Sequence, residues 1–283
     1  MDQPKLSIIT INLNNKDGLQ RTIDSVLCQT YTDFEYIIID GKSSDESIEI
    51  IKRNEVHLAY WISEPDTGVY NAMNKGIHQA KGEYLLMLNS GDTLADKTII
   101  ETIFNLDWNY DIIYGDILWE VTQPYITTFP DTLTFSYFLY RSLGHQSAFI
   151  RKNLHHKFGF YIEHNSIVSD WCFFIKTICA YNCSYKHFPF VIAHCNRDGI
   201  SCDPQNSFII EQESKTFLEL EFPLFLNDYE IARNNLEELT ILKEKNQEIL
   251  KRKENSIGFK LKSKLKRIPF LLSIIQKIRY INR

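Results

Sequence analysis

Residues 63–92 read SEPDTGVYNAMNKGIHQAKGEYLLMLNSGD and predict a loop, a helix, a buried strand and a polar turn. The helix is indicated by apolar residues at helical spacing from Val69 and by its closure near Gly82. Asp66 precedes this helix, and Asp92 follows the apolar strand. Ligands of open α/β sheets bind beyond the carboxyl ends of the strands, so both carboxylates are candidates for a binding site. An ordinary polar turn is the alternative.

Strands and helices alternate on both sides of this stretch. Short β-branched or apolar runs predict the strands, and apolar residues at spacings of three and four predict the helices. Ser43 and Glu46 lie at the spacing of a capping box and predict the start of a helix. The alternation predicts an α/β protein with a mostly parallel central sheet flanked by helices. The predicted strands are 5–12, 34–39, 57–62, 83–88, 111–120, 144–151 and 185–195, and the main predicted helices are 17–29, 69–80, 96–106 and 169–181.

Polar residues occupy the predicted strand ends, where a nucleotide would bind. The turn after the first strand has no glycine until Gly18, and no Walker A sequence is present. An NAD-linked enzyme with a glycine-rich turn is therefore disfavoured. A nucleotide would instead be held by side chains at the rim of the sheet. The candidates are Thr10, Asn12, Asp40, Asp66, Asn89 and Asp92.

Composition limits the class of protein. The chain has 283 residues, of which 44% are hydrophobic and 24% charged, as is ordinary for a globular protein with its own core. Its six cysteines include no Cys-x-x-Cys pair, so a zinc knuckle is not expected. No secretory signal is recognised, and no apolar run is long enough to span a bilayer. We therefore expect a cytoplasmic protein with reduced, mostly packing thiols.

The C-terminal tail differs from the rest of the chain in charge. Residues 251–283 contain eleven Lys or Arg and one acid, whereas the whole chain has a net charge of −5, so the preceding part is strongly acidic. Basic and apolar residues interleave in 257–283, as in amphipathic helices that lie on anionic membranes. Packing on a partner subunit of a homo-oligomer is the alternative. Nucleic-acid binding is disfavoured because the body is acidic and carries no recognised motif.

Five blocks of sequence occur in an order that resembles a known family. They are SIITINLNN (7–15), IIIDGKSSDES (37–47), the stretch 63–92, GHQSAFIRK (144–152) and SDWCFFIK (169–176). Together they resemble the family 2 glycosyltransferases of GT-A fold, in the bacterial branch that builds surface polysaccharides, such as lipopolysaccharide and capsule. The resemblance covers about residues 4–205. It implies a GT-A domain at 1–205 and a C-terminal helical extension at 206–283 that ends in the basic amphipathic segment.

The resemblance implies an inverting transfer of a hexose or N-acetylhexosamine from a nucleotide diphosphate sugar to a glycan acceptor. That acceptor is typically a lipid-linked saccharide, so the enzyme would work at the inner face of the cell membrane. The resemblance places Asn89-Ser90-Gly91-Asp92 at the metal-binding DxD motif, although Asn89 or Ser90 replaces the first acid. Asp92 would hold Mg²⁺ or Mn²⁺ on the diphosphate. The implied nucleotide-sugar residues are Thr10, Asn12, Asp40, Asp66, Lys75, Asn89, Ser90, Gly91, His145, Gln146 and Arg197.

The catalytic base implied by the resemblance is Asp170, which would take the proton of the acceptor hydroxyl. Ser169 stands where the family often has a further acid, and helix capping is the alternative role for Asp170. His145 and Gln146 would touch the donor sugar or the acceptor. Asp116 would line the acceptor side.

The remaining candidates rest on weaker patterns. His194 could complete the metal shell or contact phosphate, and Arg197 could neutralise the diphosphate. Lys75 would contact the diphosphate or remain a solvated helix charge. His155 and His156 are interpreted as surface residues. A rival function is a non-catalytic subunit that binds sugar nucleotides in a polysaccharide assembly complex, and the incomplete DxD tetrad motivates it.

Overall fold

The protein is a mixed α/β molecule, seen here in a computed structural model that describes residues 3–106, 109–197 and 199–265. Its strands are β1 Leu6–Asn12, β2 Phe34–Asp40, β3 Tyr60–Ser63, β4 Tyr84–Met87, β5 Thr93–Leu94, β6 Ile112–Trp119, β7 Tyr125–Thr127, β8 Ala148–Arg151 and β9 Tyr185–Cys195. Its helices are α1 Lys16–Leu27, α2 Ser47–Arg53, α3 Val69–Gln79, α4 Ile99–Phe104, α5 Phe135–Phe138, α6 Lys152–Phe158, α7 Ser169–Ile175, α8 Ser207–Glu221 and α9 Leu226–Leu265.

The first half of the sheet is parallel, as the βαβ alternation predicted. The strands lie in the order β3-β2-β1-β4, and all three pairings between them are parallel. Every residue of β1 is buried, as is typical of a parallel strand that is covered on both faces. Gly76 of α3 packs directly on β1, where a Cβ atom would lie 2.4 Å from Ile9 Cγ2. The carboxyl ends of these four strands therefore share one edge.

The second half of the sheet is mixed. β8 runs antiparallel to both β4 and β6, β6 runs parallel to β9, and β5 and β7 add antiparallel pairings at β9 and β6. The α/β class is confirmed, and the parallel arrangement is confined to β1–β4 and the β6–β9 pair. The antiparallel strands could not be derived from alternation, because a short apolar run does not reveal its direction.

Several predicted local features are wrong, among them the strand predicted at 144–151, which begins at Ala148 because His145–Ser147 forms a 3₁₀ turn. The expected capping box at Ser43 and Glu46 does not form, and α2 begins at Ser47. The Ser43 hydroxyl is instead committed to Asp40, to which it donates at 2.6 Å. The third strand begins at Tyr60 rather than residue 57, because Glu55–His57 forms a 3₁₀ turn.

His155 lies in the core, so its predicted surface position is wrong. His155 lies in α6 and is 1% exposed. Its ring stacks on Phe173, with ring centroids 4.2 Å apart. Burial lowers the pKa of His155 to about 3, with a smaller contribution from the charge of His156. Neither ring nitrogen has a hydrogen-bond partner among the described residues. His155 is therefore a neutral packing residue, and its neighbour His156 is exposed.

The chain divides into two compact units, the first ending at Pro223 and the second beginning at Leu224. Helix α8 thus belongs with the first unit, and the predicted division at residue 205 stays a prediction. The second unit contains α9, whose 40 residues span about 60 Å. Among the described residues, no helix is long and apolar enough to cross a membrane. All six cysteines are free thiols.

Candidate active site

The carboxyl ends of β1, β2 and β3 meet around the carboxylate of Asp40. The strand register places Asn12, Asp40 and Ser63 side by side at this edge. Asp40 Oδ1 accepts from Asn12 Nδ2 at 2.8 Å and from Ser43 Oγ at 2.6 Å. Its Oδ2 accepts from Ser43 N at 2.9 Å and from Ser63 Oγ at 2.6 Å. Asp40 has no exposed surface and fixes the side chains around it, while its own contact with a nucleotide stays a prediction.

Thr10 and Asn12 lie near the end of β1 and present different groups. Thr10 is fully buried, and its hydroxyl donates to Leu88 O at 2.8 Å, so it acts inside the sheet. Asn12 donates its amide to Asp40 and Ser43, but its buried Oδ1 has no partner among the described residues. A buried acceptor without a donor is costly. Asn12 Oδ1 is therefore the atom at this edge that a donor group of a ligand would satisfy.

Asp66 lies in the loop between β3 and α3, beside the end of β2. Its Oδ1 accepts from Gly68 N at 2.9 Å. A Cβ atom on Gly41 would lie 2.5 Å from Asp66 Oδ2, so a side chain there would displace the carboxylate. Lys75 forms an ion pair with Glu64 Oε1 at 2.7 Å. Lys75 thus holds the loop that carries Asp66, and its contact with a diphosphate stays a prediction.

The β4 turn, residues 89–92, follows β4 at the same edge. Gly91 has a φ of 105°, a conformation that favours glycine. Asn15 Nδ2 donates to Ser90 O at 2.9 Å and to Ser90 Oγ at 3.3 Å, which ties the turn to the start of α1. The turn is closed by a hydrogen bond from Asp92 N to the carbonyl of its first residue at 3.0 Å.

The carboxylate of Asp92 is buried, with only 7% of the residue exposed. Burial raises the pKa of Asp92 to about 6, while the neighbouring His145 imidazole and hydrogen bonds from Cys195 and Gln146 oppose that shift. A buried carboxylate is stabilised when a cation or further donors compensate its charge. This position therefore favours a bound cation. Gln146 is predicted to contact the donor sugar or the acceptor. Its side chain also interacts with Asp92, the predicted metal ligand.

Asp170 is the second residue of α7 and is connected to the β4 turn through His145. Asp170 Oδ2 pairs with His145 Nδ1 at 2.9 Å, and His145 Nε2 lies 3.2 Å from Asn89 Nδ2. Asp170 Oδ1 accepts from Tyr70 Oη at 3.0 Å and from Trp171 N at 2.9 Å. One hydrogen-bonded chain therefore joins Asp170, His145 and Asn89. These are the predicted base, the histidine predicted to contact the sugar, and the first residue at the DxD position.

The hydrogen bonds assign the protons in this chain. An ionised Asp170 only accepts, so His145 Nδ1 carries the proton and donates. Nε2 then accepts from the Asn89 amide. This leaves Asn89 Oδ1 buried, with no hydrogen-bond partner among the described residues. Asn89 Oδ1 is thus an oxygen without a donor in the same turn as the Asp92 carboxylate.

The residues of the β4 turn fit a hard divalent cation. Mg²⁺ takes oxygen ligands and is commonly held by one or two carboxylates together with substrate phosphates. Asn89 Oδ1 and the Asp92 carboxylate are oxygens of this kind. The part of the chain that the structure describes has no group of three or more His, Cys, Asp or Glu that could hold a metal ion.

His194 and Arg197 have partners other than the Asp92 carboxylate. Adjacent residues of a strand point to opposite faces, so His194 points away from the face on which Cys195 meets Asp92. The His194 Nδ1 atom lies 3.5 Å from Glu120 Oε1 instead. Arg197 is exposed, and hydrogen bonds to Cys202 and Tyr125 raise the pKa of its guanidinium. The metal and diphosphate roles of these two residues stay predictions.

Asp116 is occupied by another interaction. Its Oδ1 pairs with His187 Nε2 at 2.9 Å and accepts from Phe129 N at 3.1 Å, and the residue is 7% exposed. His187 Nδ1 in turn lies 2.7 Å from Asp131 Oδ1. Asp116 anchors the loop after β7 rather than lining an open surface, so its expected place on the acceptor side is not supported.

Two residues of the site were missed by the sequence analysis. Tyr70 donates to Asp170, and the Cys195 thiol interacts with the Asp92 carboxylate. Tyr70 lies on the buried face of α3, at a spacing that also fits ordinary core packing. Cys195 resembled a packing thiol at the end of a strand. Neither has a local sequence signal, because each acts on a residue far away in the chain.

The chain matches the family model of Glycosyl transferase family 2 over residues 7–169. It therefore belongs to this family, as the five sequence blocks predicted. The match covers β1 to the first residue of α7 and includes the β4 turn and His145.

Curated relatives carry names consistent with this family. An uncharacterized glycosyltransferase of Mycobacterium tuberculosis is 45% identical over 98 residues, which are 34% of this chain and 37% of the relative. The PGL/p-HBAD biosynthesis glycosyltransferase of Mycobacterium bovis is 30% identical over 207 residues, 70% of this chain and 79% of the relative. The Staphylococcus aureus poly(ribitol-phosphate) beta-N-acetylglucosaminyltransferase TarP is 36% identical over 118 residues, 39% of this chain and 36% of TarP.

Solved structures share the fold at low identity. Staphylococcus aureus TarS 1–349 in complex with UDP-GlcNAc has a TM-score of 0.60 and 16% identity, with 77% of this chain and 67% of that chain covered. The mannosyltransferase PcManGT of Pyrobaculum calidifontis, in complex with GDP-Man and Mn²⁺, has a TM-score of 0.51 and 15% identity, with 82% and 74% covered. The predicted GT-A fold is thereby confirmed.

Proposed function

We propose that this protein is an inverting glycosyltransferase that moves a sugar from a nucleotide diphosphate sugar to a glycan acceptor in surface polysaccharide or glycolipid synthesis. The observation that carries the proposal is the hydrogen-bonded chain from Asp170 through His145 to the β4 turn. Inverting transfer needs a base at the acceptor hydroxyl and charge compensation at the departing diphosphate. One connected group of residues would supply both the base and the compensation of the charge on the diphosphate.

In the proposed reaction, Asp170 accepts the proton of the acceptor hydroxyl. The hydroxyl oxygen forms a bond to the anomeric carbon, and the bond from that carbon to the diphosphate oxygen breaks, with its electron pair leaving on the nucleotide diphosphate. Tyr70, Trp171 N and His145 hold both carboxylate oxygens in place. Oδ2, which has only His145 as a partner among these three, offers a further lone pair to the substrate.

The β4 turn would compensate the charge of the leaving group. Asp92 and Asn89 Oδ1 would hold Mg²⁺ or Mn²⁺, and such a cation would supply positive charge at the diphosphate. The buried Asp92 carboxylate and the unpartnered Asn89 oxygen support this assignment. PcManGT, of the same fold, binds Mn²⁺. His194 is the weaker candidate, because it points to the opposite face of β9.

The nucleotide would lie along the ends of β1, β2 and β3, near Asn12, Asp40 and Asp66. TarS binds UDP and UDP-GlcNAc, and TarP is named a beta-N-acetylglucosaminyltransferase, so a UDP-sugar with a hexosyl or N-acetylhexosaminyl group is the first donor to test. We place the protein in the cytoplasm, at the inner face of the cell membrane, with residues 257–283 on the membrane surface. The acceptor would be a lipid-linked saccharide reached from that side.

A panel of UDP, GDP, CDP and dTDP, alone and as sugar conjugates, tests the proposal by thermal shift with and without Mn²⁺. A ligand that binds the folded state raises the melting temperature by mass action. We expect stabilisation by one nucleotide class, enhanced by metal in the native protein and less so in Asp92→Asn. If folded protein is stabilised by none of them, the proposed function is wrong.

The second candidate function is a non-catalytic subunit that binds sugar nucleotides. It is motivated by the β4 turn, which has one carboxylate where the DxD motif has two. This candidate predicts nucleotide binding without transfer, and binding that does not respond to changes at Asp170. Measurement of sugar release or transfer from the stabilising donor separates it from the first.

A further inference from the structure

An aromatic pair stands on the hairpin formed by β6 and β7. Trp119 and Tyr125 lie opposite each other in the antiparallel register. Their ring centroids are 6.5 Å apart with planes inclined by 28°. Trp119 Nε1 donates to Thr127 Oγ1 at 2.9 Å, which fixes the indole on the hairpin. Tyr125 is 43% exposed. The pair therefore forms an ordered, accessible aromatic surface.

The register shows which face of the sheet carries this pair. In β9, Cys195 is the partner of Trp119, and partners in register point to the same face. The Cys195 side chain meets the Asp92 carboxylate. Trp119 and Tyr125 therefore lie on the face of the sheet that carries Asp92.

A contact of Ile117 also shows that this face of the hairpin lies toward the site. Ile117 lies two residues before Trp119 and so points to the same face. A Cβ atom on Gly144 would lie 2.2 Å from Ile117 Cδ1, so this face packs directly on the residue before His145. Ile126, between Tyr125 and Thr127, points to the opposite face and is 53% exposed.

The order of strands separates this surface from the nucleotide edge. The sheet runs β3-β2-β1-β4-β8-β6-β9, so the β4 turn lies between the ends of β1–β3 and the β6–β7 hairpin. The strand of Trp119 is next to the strand of Cys195, and neighbouring strands are about 4.8 Å apart. A molecule on the aromatic pair would thus approach Asp92 from the side opposite the nucleotide.

We propose that Trp119 and Tyr125 form a subsite that binds a pyranose ring of the acceptor glycan. This inference rests on the proposed function. A pyranose presents a face of C–H groups that packs on the π surface of an aromatic ring, while its hydroxyl groups remain available to polar side chains. Arg197, an exposed cation that interacts electrostatically with Tyr125, is such a polar neighbour at the edge of the pair. The subsite takes acceptor rather than donor sugar, because it lies beyond Asp92 from the nucleotide edge.

The experiment follows the indole N–H signals of the ¹⁵N-tryptophan-labelled full chain, which has four tryptophans. Trp119→Phe assigns the Trp119 signal by its loss. The probes are methyl glycosides of glucose, galactose, mannose, rhamnose and N-acetylglucosamine, added with and without the stabilising nucleotide and Mn²⁺. We expect the Trp119 signal to move with at least one glycoside, also in the presence of nucleotide.

Variants give a second measurement. Trp119→Ala and Tyr125→Ala should each weaken glycoside binding roughly tenfold and leave the nucleotide-induced melting shift unchanged. Ile126→Ala, on the opposite face of the same hairpin, is the matched control and should bind like the native protein.

Two results would overturn the subsite. One is a Trp119 signal that moves with none of the glycosides. The other is a signal that moves with the intact nucleotide sugar but not with glycoside plus nucleotide, which would assign the pair to the donor sugar. Absence of any nucleotide-induced melting shift is a different result, since it contradicts the proposed function and not the glycoside binding.

Discussion

Asp170 is the residue at which the proposed chemistry meets the structure most directly. Replacement by asparagine keeps the size of the side chain and removes its ability to take a proton. We expect Asp170→Asn to lower the transfer rate by about 10²–10⁴-fold, the usual contribution of a general base. The measurement is the turnover number with the donor identified by thermal shift.

Two controls accompany this variant. The nucleotide-induced melting shift of Asp170→Asn should equal that of the native protein, which excludes loss of the donor site. Asp203→Asn, at an exposed turn, should keep full activity. An Asp170→Asn variant with native turnover would refute the assignment of the base.

His155 gives a prediction on pH dependence at the same scale. Its pKa is about 3 in the folded protein, below the ordinary 6.5, because the neutral ring is buried. The unfolded chain therefore binds a proton that the folded chain excludes. The contribution of His155 to the free energy of unfolding is therefore fully present above pH 6.5, and it is lost progressively as the pH drops toward 3. At pH 5 the loss is about 2 kcal/mol.

We expect His155→Phe to remove this acid sensitivity while keeping a stacked ring on Phe173. Urea unfolding at pH 7 and pH 5 measures the change in the free energy of unfolding for each protein, so a constant packing difference cancels. His156→Gln, one residue along and exposed, should lose as much stability as the native protein. Equal losses in native protein and His155→Phe would contradict the prediction.

At the scale of elements, the contact between α3 and β1 sets the position of the loop that carries Asp66. Gly76 of α3 has no room for a Cβ atom, because Ile9 Cγ2 would be 2.4 Å away and Ile9 is fully buried. An added methyl group would push α3 from the sheet. Helix propensity alone would favour alanine by about 1 kcal/mol, whereas overpacking costs about 1–3 kcal/mol.

We therefore expect Gly76→Ala to be destabilised by roughly 1 kcal/mol in net terms, measured by urea unfolding. The matched control is Gly199→Ala, where nothing lies within 4 Å of the added methyl group. That control should be neutral or slightly stabilised. A Gly76→Ala protein more stable than the native one would show that the helix adjusts at no cost.

At the scale of the whole molecule, the distribution of charge predicts a membrane contact. The basic stretch at 257–283 follows a strongly acidic body, and most of it lies outside the described residues. Basic residues near an anionic bilayer contribute about 1 kcal/mol each. We expect reversal of Lys260, Lys262 and Lys264 to glutamate to weaken binding to anionic vesicles by at least about tenfold.

Flotation with vesicles containing anionic lipid measures this binding, and neutral vesicles give the background. Lys243 and Lys245 in the earlier part of α9, changed together to glutamate, form the control and should have a smaller effect. If the native protein does not bind anionic vesicles, the alternative role of the tail as an oligomer contact is favoured. Sedimentation would then measure the oligomeric state.

The sequence by itself determined the class of fold, the family and the parallel half of the sheet. Strand and helix periods are local, so β1–β4 and the helices between them could be predicted from short windows. The order of the five blocks predicted family 2, and Asp92, His145, Gln146 and Asp170 could be named as site residues. Their predicted roles do not follow from local pattern and await the experiments above.

Only the tertiary structure decided which atoms meet. Asp170 lies 100 residues from Tyr70 and 25 from His145, and His145 lies 56 from Asn89, so no local period links them. The bulge around Asp116 shifts the register of β6 against β9 and thereby sets the face on which Trp119 stands. Contacts of this kind follow from strand order and direction, which a chain encodes through its global packing rather than through neighbouring residues.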